Sequence, residues 1–148
     1  MKFVILYTVL LIAGNANAQQ PITWNFSSKK IGENTFELHF SATIENSWHT
    51  YSQTTPAGGP APTKISFAKN PLCQPVGKTR EVGELENSYD EAFGVHVKSF
   101  STKVDFVQVV KLKSGAKTNQ SGTIEYMVCN SHECLPPKTI SFSILINQ

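Results

Sequence analysis

Alternation of apolar and polar side chains is the feature that most constrains the fold of this chain. Residues 36–44 alternate without a break, and residues 140–146 repeat the pattern near the C-terminus. The apolar positions of the two segments are Phe36, Leu38, Phe40, Ala42, Ile44, Ile140, Phe142, Ile144 and Ile146. Because successive side chains of an extended strand point to opposite faces, each segment is predicted to be a strand with one buried and one solvated face.

Further strands are expected along the chain, separated by turn-forming residues. The candidates lie at residues 22–27, 63–68, 78–84, 95–112 and 123–128, and the long segment 95–112 holds either two strands or one bent strand. No segment has an apolar period of 3.6 residues over a helical length. About seven short strands at this spacing predict an all-β fold, a single-domain antiparallel β-sandwich of immunoglobulin-like type. A small closed barrel is the alternative that the pattern leaves open.

The N-terminus has the organisation of a secretory signal peptide. Lys2 precedes an apolar run over residues 3–12, and Ala16-Asn17-Ala18 matches the small-x-small site of signal peptidase. The apolar run is too short to cross a bilayer, which takes roughly 20 residues. We therefore predict a cleaved signal peptide at residues 1–18 and an exported, soluble domain at residues 19–148, with no membrane insertion after cleavage.

The charge distribution excludes two classes of partner. The formal net charge is +2, and the 13 Lys and Arg residues form no cluster. Binding of nucleic acid or of an anionic membrane uses a basic patch, so neither is expected as a partner. No Ser/His/Asp ordering, paired-acid motif or glycine-rich phosphate loop stands out in the sequence either.

Three cysteines are present, and two of them, Cys129 and Cys134, lie five positions apart near the C-terminus. Export favours disulfides, and an odd number leaves one thiol unpaired. We expect the third cysteine, Cys73, to behave as a small buried hydrophobe, and a reactive odd thiol is the alternative. The pair follows the predicted strand at residues 123–128, and the end of a hairpin brings two Cα atoms within the range of a disulfide.

A disulfide over so short a loop is a weak stabiliser. Closing a loop of about six residues removes unfolded-state entropy worth roughly 2 kcal/mol, near the low end for disulfides. An exposed hairpin end also suits attack by another thiolate. From the residues alone, a redox-active pair and a structural hairpin disulfide remain equal alternatives.

A metal site is a further hypothesis for the same segment. Cys129, His132 and Cys134 are ligands that suit copper or zinc. The paired Cys-x2-Cys knuckles of structural zinc sites are absent from the sequence, and the other three histidines are scattered. We therefore expect neither a metal nor another cofactor.

Two segments between the predicted strands have unusual compositions. Residues 54–63 contain three prolines and two glycines, which forbid regular pairing and predict a stiff surface loop. Residues 87–94, also predicted to be a loop, contain the aromatic Tyr89 and Phe93 and the acidic Asp90 and Glu91. Exposed aromatics on a loop indicate a binding surface or a lid. In the alternative interpretation both rings fold back onto the edge of the core.

Four segments together resemble a known family. They are WHTYSQ at residues 48–53, GGP at residues 58–60, DEAFG at residues 90–94 and CNSHECLPP at residues 129–137. In this order they resemble the N-terminal periplasmic domain of the bacterial thiol:disulfide interchange protein DsbD, over nearly all of the predicted mature chain. The resemblance implies an immunoglobulin-like fold, a periplasmic location and one redox-active cysteine pair.

The resemblance also implies roles for individual residues. Cys129 and Cys134 would be the redox pair, in which Cys134 forms the mixed disulfide with partners and Cys129 resolves it. The family has one more residue between these cysteines in its best-known member. Two aromatic residues, Trp48 and Tyr51, match side chains that line the site.

The loop that caps the pair in the family departs from this chain at one position. Asp90 and Glu91 match the acidic stretch of that loop. Ala92 stands where the capping phenylalanine of the family directly follows the Asp-Glu pair. We expect Phe93, one position later, to take over the capping role.

The function implied by the resemblance is transfer of reducing equivalents to thioredoxin-like periplasmic proteins, including those of cytochrome c maturation. The sequence ends at Gln148 without a membrane or thioredoxin-like domain, so we expect the membrane electron donor to be a separate protein. If the domain is an enzyme, it is a component of a protein-disulfide reductase. The alternative is a non-catalytic immunoglobulin-like binding or accessory module whose hairpin disulfide is structural.

Overall fold

The computed structural model describes residues 20–147, which form eleven β-strands. In chain order they are β1 (Ile22–Lys30), β2 (Thr35–Ile44), β3 (His49–Tyr51), β4 (Lys64–Phe67), β5 (Cys73–Gly83), β6 (Glu86–Asp90), β7 (Val95–Phe100), β8 (Lys103–Leu112), β9 (Thr118–Tyr126), β10 (Val128–Cys129) and β11 (Lys138–Ile146). No helix within this range is long and apolar enough to cross a membrane. The predicted signal peptide, residues 1–18, lies outside the described residues.

The strands form three antiparallel sheets. Their strand orders are β1-β2-β8-β5, β11-β9-β4 and β10-β3-β7-β6. The first two sheets bury side chains against each other: the rings of Phe40 on β2 and Phe142 on β11 have centroids 4.7 Å apart. This arrangement confirms the predicted all-β antiparallel sandwich of immunoglobulin-like type.

The alternation in the sequence marks the residues of the main core. The apolar side chains of β2 are buried, whereas the residues between them are half-buried or exposed. Phe40 lies among the rings of Phe26, Phe67 and Phe142. The predicted strands at residues 36–44 and 140–146 are confirmed as parts of β2 and β11.

Two strands differ from the sequence-based expectation. The prediction of a loop over residues 87–94 is wrong, because β6 covers Glu86–Asp90, pairs with β7 and leaves only a short turn at the hairpin tip. No side chain of β6 is fully buried, so no alternation marks this strand in the sequence. β3 has only three residues, too few for a pattern. The segment 95–112 folds as two strands, β7 and β8.

A second, smaller cluster of buried side chains lies on the sheet β10-β3-β7-β6. It consists of Tyr51, Val97 and Cys129, with Val95 and Met127 packed against it. Neighbouring residues of a strand point to opposite faces. Val128 of β10 accordingly belongs to the main core, while Cys129 lies in the small cluster.

The unpaired cysteine lies where the sequence predicts. Cys73, at the start of β5, is a free thiol that is 2% exposed and belongs to the main core. Burial raises the pKa of this thiol. Cys73 therefore packs as an apolar side chain of the main core, whereas Cys129 belongs to the smaller cluster.

Gly122 of β9 is required by the close packing of β4, β9 and β11. A Cβ atom at this position would clash with the carbonyl oxygen of Ser66 and lie 2.5 Å from Cζ of Phe142. The carbonyl belongs to the backbone of the paired strand and cannot rotate aside. An alanine at this position must therefore push the strands apart.

We expect Gly122→Ala to lower the free energy of unfolding by about 3 kcal/mol, because it displaces both a paired backbone and a core ring. Urea denaturation of the oxidised protein measures the change. Ser141→Ala, at an exposed position next to Phe142, is the matched control and should change stability by less than about 0.5 kcal/mol. Equal stability of the Gly122→Ala variant and the wild type would contradict the packing described for these strands.

Candidate functional site

The Cys129 and Cys134 side chains form a disulfide inside a short antiparallel bridge. The N–H of Leu135 donates to the carbonyl of Val128, and the N–H of Asn130 donates to the carbonyl of Glu133, each at 2.9 Å. These bonds flank the two cysteines, which form a narrow, non-hydrogen-bonded pair with Cα atoms 4.0 Å apart. The backbone therefore brings the two sulfur-bearing side chains together independently of the covalent bond.

The four residues between the cysteines form a tight turn. The side-chain oxygen Oδ1 of Asn130 accepts hydrogen bonds from the N–H groups of His132 and Glu133, both at 2.8 Å. Asparagine commonly makes this local contact, because its short side chain reaches the backbone two residues on. The turn fixes where Cys134 lies relative to Cys129.

The two cysteines differ sharply in exposure. Cys129 is 1% exposed and packs with Tyr51 and Val97, whereas Cys134 is exposed. An incoming thiolate can therefore approach Cys134, whereas the surroundings of Cys129 exclude it. Thiol exchange requires such access, and the geometry gives it to one cysteine only.

A groove of about 510 Å³ runs between the cysteine turn and the tip of the β6–β7 hairpin. Its lining residues are His49, Tyr89, Asp90, Glu91, Ala92, Phe93, Cys129, Asn130, Ser131, His132, Glu133 and Cys134. Asp90, Glu91 and Phe93 thus lie at the same groove as both cysteines. In the described part of the chain, no group of three or more His, Cys, Asp and Glu side chains is placed to hold a metal ion.

The tip of the β6–β7 hairpin is shaped by Asp90. Its carboxylate oxygen Oδ1 accepts the N–H groups of Ala92 at 2.9 Å and Phe93 at 3.2 Å, and its carbonyl accepts the N–H of Gly94 at 2.8 Å. Gly94 has φ +68°, a conformation that glycine adopts without strain. These contacts hold the half-buried Phe93 at the end of the hairpin, on the groove.

The proline- and glycine-containing loop at residues 54–63 supports this hairpin. A Cβ atom on Gly59 would lie 2.8 Å from Cγ2 of Val95 and 3.9 Å from Cβ of Phe93. A larger residue at position 59 would have to displace the Val95 side chain. The N–H of Lys98 on β7 also donates to Oγ1 of Thr55 at 3.0 Å. The GGP segment therefore positions the hairpin rather than contacting the cysteines.

Of the two aromatic residues expected to line the site, only Tyr51 lies next to a cysteine. Tyr51 is fully buried in the cluster that contains Cys129, beneath the groove. Trp48 packs against the main core, and neither of the two aromatic side chains is among the groove residues. The motif continues into Ser52 and Gln53, whose Oγ and N–H donate to the carboxylate of Glu81 on β5 at 2.8 and 2.7 Å.

His49 is a groove residue that sequence reasoning missed. It lies directly opposite Cys129 in the pairing of β3 with β10. Its Nε2 is 3.0 Å from the hydroxyl of Tyr51, and the two rings meet edge to face. The sequence offered one signal for this residue. His49 lies two residues before Tyr51, and residues two apart in a strand lie on the same face of the sheet. The pairing partner of β3 cannot be read from the sequence.

Burial perturbs both members of this pair. Burial lowers the pKa of His49 from 6.5, although the negative charges of Asp90 and Glu86 oppose the shift. Burial, together with the charge of Asp90, raises the pKa of Tyr51. The pKa of His49 is lower in the folded protein than in the unfolded chain. The neutral imidazole therefore leaves the free energy of unfolding at its full value when the pH is above the unfolded pKa. Stability is lost as the pH falls through the folded pKa, because the unfolded chain binds the proton more tightly.

A titration of the imidazole checks these electrostatics. We expect the pKa of His49, followed by NMR, to lie below 6.5 and to fall further in Asp90→Asn, because the variant removes a charge that favours the imidazolium. Asparagine keeps the oxygen that accepts the N–H groups of Ala92 and Phe93. Glu91→Gln removes the neighbouring charge and is the control, with no such fall. An unchanged pKa of His49 in Asp90→Asn would contradict the described proximity.

The fold of this chain is similar to several solved structures. The reduced DsbD N-terminal domain of Neisseria meningitidis matches with a TM-score of 0.56 and 16% identity, over 86% of this chain and 87% of that one. The N-terminal periplasmic domain of ScsB from Proteus mirabilis matches with a TM-score of 0.55 and 15% identity, over 82% and 44% of the two chains. A complex between the DsbD N-terminal and PilB N-terminal domains of Neisseria meningitidis matches with a TM-score of 0.50 and 14% identity, over 86% and 87%.

At these identities the structural similarity establishes the fold. No curated protein matches the sequence significantly. A family model described as thiol:disulfide interchange protein DsbD, N-terminal, matches residues 16–146, which is nearly the whole chain. The chain therefore belongs to the family of N-terminal domains of the thiol:disulfide interchange protein DsbD.

Proposed function

We propose that this domain passes reducing equivalents to thioredoxin-like proteins in the periplasm, by thiol–disulfide exchange at Cys129 and Cys134. The observation that carries the proposal is the asymmetry of the pair: Cys134 is exposed at a groove, and Cys129 is 1% exposed beneath it. Exchange through a mixed disulfide needs one sulfur that a partner reaches and a second thiol that resolves the intermediate. Membership of the family supports the same chemistry.

The exchange has two steps. In the reduced domain, the Cys134 thiolate attacks a disulfide of the partner, so that a mixed disulfide forms and one partner thiolate leaves. The Cys129 sulfur then attacks the sulfur of Cys134, which closes the Cys129–Cys134 disulfide and releases the second partner thiolate. Two electrons pass to the partner, and the two protons of the Cys129 and Cys134 thiols end on the partner thiols or in solvent.

Reduction of the Cys129–Cys134 disulfide by a donor follows the same steps in reverse. A donor thiolate attacks the accessible sulfur of Cys134, and the resulting mixed disulfide is resolved by a second donor thiol. Following the resemblance, we propose that this donor is a membrane protein acting as a separate partner. Because one groove gives access to one sulfur, donor and acceptor must use the same face in turn.

A solved complex supports a protein domain as the partner of this chain. One structure with the same fold is a complex of the DsbD N-terminal domain with the PilB N-terminal domain, two protein domains of Neisseria meningitidis. We infer that this chain likewise docks a folded protein domain over its groove. Acidic and aromatic side chains of the β6–β7 hairpin line this groove and would face such a partner.

We propose that Phe93, at the edge of the groove, slows the attack of unrelated thiols on the disulfide between encounters without closing off the exposed Cys134. Phe93 is half-buried at the tip of the β6–β7 hairpin, and Asp90 holds the tip by three short-range hydrogen bonds. A turn held by so few bonds can open when a partner docks, whereas the strands below it stay paired. Asp90 and Glu91 would then meet the partner surface.

A purely structural role explains fewer of these features. The backbone bonds of Val128, Asn130, Glu133 and Leu135 already hold the turn in place. The covalent bond adds roughly 2 kcal/mol for so short a loop. A structural role also gives no reason for a groove at the bond or for the unequal exposure of the two sulfurs.

Trapping of the mixed disulfide tests the proposal. In a Cys73→Ala background, which removes the third thiol, Cys129→Ser should accumulate a covalent adduct through Cys134 with exported thioredoxin-fold proteins that retain their disulfides. Cys134→Ser, the matched control, should give at least about 100-fold less adduct, because the remaining Cys129 thiol is buried. Mass spectrometry of non-reduced mixtures measures both. Equal adduct from the two variants, or none from either, would contradict the assigned roles.

A further inference from the structure

The resolving step places a chemical demand on a buried thiol. Cys129 must lose its proton before or while it attacks the sulfur of Cys134, since the thiolate is the nucleophile. Burial among Tyr51 and Val97 disfavours a free thiolate. Among the described residues that line the groove there is no Lys or Arg to stabilise one. A neutral base beside Cys129 would meet this demand.

His49 is placed for that task by strand pairing. It is the residue directly opposite Cys129 between β3 and β10, and both line the groove. Directly opposite side chains stand on the same face of a sheet, with Cβ atoms about 4.5–5.5 Å apart. That spacing lets an imidazole nitrogen reach a cysteine sulfur across the two strands.

We propose that His49 accepts the proton of the Cys129 thiol in the resolving step, a role that rests on the proposed function of the domain. The S–H bond of Cys129 breaks and its proton moves to the imidazole, while the sulfur forms a bond to the sulfur of Cys134. The bond between Cys134 and the partner breaks, and its electron pair leaves on the partner thiolate. The imidazolium then returns its proton to that thiolate or to water.

Tyr51 orients the ring for this transfer. Its hydroxyl lies 3.0 Å from Nε2 of His49. In the tautomer with Nε2–H donating to the Tyr51 oxygen, the other ring nitrogen, Nδ1, carries the free lone pair that accepts the thiol proton. The hydrogen bond to Tyr51 persists when the ring becomes charged. Tyr51 is thus a positioning residue, held by its complete burial.

Several charged and titratable groups surround the imidazole. The groups on the elements that face it are Tyr51 on its own strand, Glu86, Tyr89, Asp90 and Glu91 on the β6–β7 hairpin, and His132 and Glu133 in the cysteine turn. The nearby carboxylates favour the imidazolium formed in the transfer. His132 is the competing base, but it is exposed, and its Nδ1 lies 2.7 Å from Oγ of Ser131.

The two steps can be timed separately with a small disulfide. Reduced protein in the Cys73→Ala background is mixed with oxidised glutathione, quenched with acid at intervals and weighed by mass spectrometry. The mass of the glutathione adduct on Cys134 reports the first step, and its conversion to the Cys129–Cys134 disulfide reports the second.

In His49→Gln we expect a first step within about twofold of wild type and a second step at least about tenfold slower at pH 7, since general bases contribute factors of about 10² or more.

The pH profile separates proton transfer from a structural role. With His49 as acceptor, the rate of the second step should be nearly flat from the pKa of His49 up to at least about pH 8.5, the ordinary pKa of a thiol, because burial disfavours the Cys129 thiolate. In His49→Gln it should rise about tenfold per pH unit over that range, because only the thiolate fraction reacts. A wild-type profile with that same unit slope would overturn the proposal without any variant.

Matched variants complete the test. His96→Gln changes an exposed histidine of β7 whose ring meets Tyr89 and does not line the groove, and it should leave both steps unchanged. His49→Ala with added imidazole should recover part of the second-step rate, because the groove is open to solvent. Loss of the flat profile in His132→Gln but not in His49→Gln would assign the base to His132 and overturn the proposal.

The experiments distinguish failure of the proposed function of the domain from failure of the proposed role of His49. If the domain does not serve thioredoxin-like proteins, no protein adduct forms at Cys134, yet the glutathione reaction still times the second step. If His49 is not the proton acceptor, protein adducts form as expected, while the second step in His49→Gln keeps the wild-type rate and pH profile.

Discussion

The two-residue strand β10 is the constraint on which the rest of the site depends. On one side, its pairing with β3 sets Cys129 opposite His49. On the other side, the narrow bridge after β10 sets Cys129 opposite Cys134. Backbone hydrogen bonds therefore line up a histidine, a buried sulfur and an exposed sulfur. Any change that slips β10 by one residue would turn Cys129 to the other face of the sheet and dismantle the site.

The disulfide at the site contributes little to the stability of the fold. The main core, with Phe40 and Phe142 near its centre, lies between the two other sheets and does not include Cys129 or Cys134. A bond that closes so short a loop contributes roughly 2 kcal/mol, a small part of the burial free energy of such a core. The disulfide can therefore open while the sandwich persists, which is what a carrier of reducing equivalents requires.

The sequence predicted the parts of the molecule that carry a periodic signal. β2 and β11 could be predicted because one face of each strand is buried, which produces an alternating sequence. The four motifs identified the cysteine pair and the acidic residues of the hairpin tip. β6 could not be predicted, because none of its side chains is fully buried and its sequence does not alternate. The role of His49 and the unequal exposure of the cysteines depend on pairing between segments far apart in the chain. Such pairing is a property of the folded structure and has no local signature.

The reduction potential of the Cys129–Cys134 bond tests the central claim most directly. Equilibration of the protein comprising residues 19–148 with buffers of glutathione and dithiothreitol, followed by mass spectrometry of blocked thiols, gives its midpoint. A bond that opens and closes in exchange should have a midpoint above about −300 mV, whereas structural disulfides of secreted proteins typically lie below it. A midpoint well below that value would contradict the redox role and leave the bond as a structural element of the hairpin.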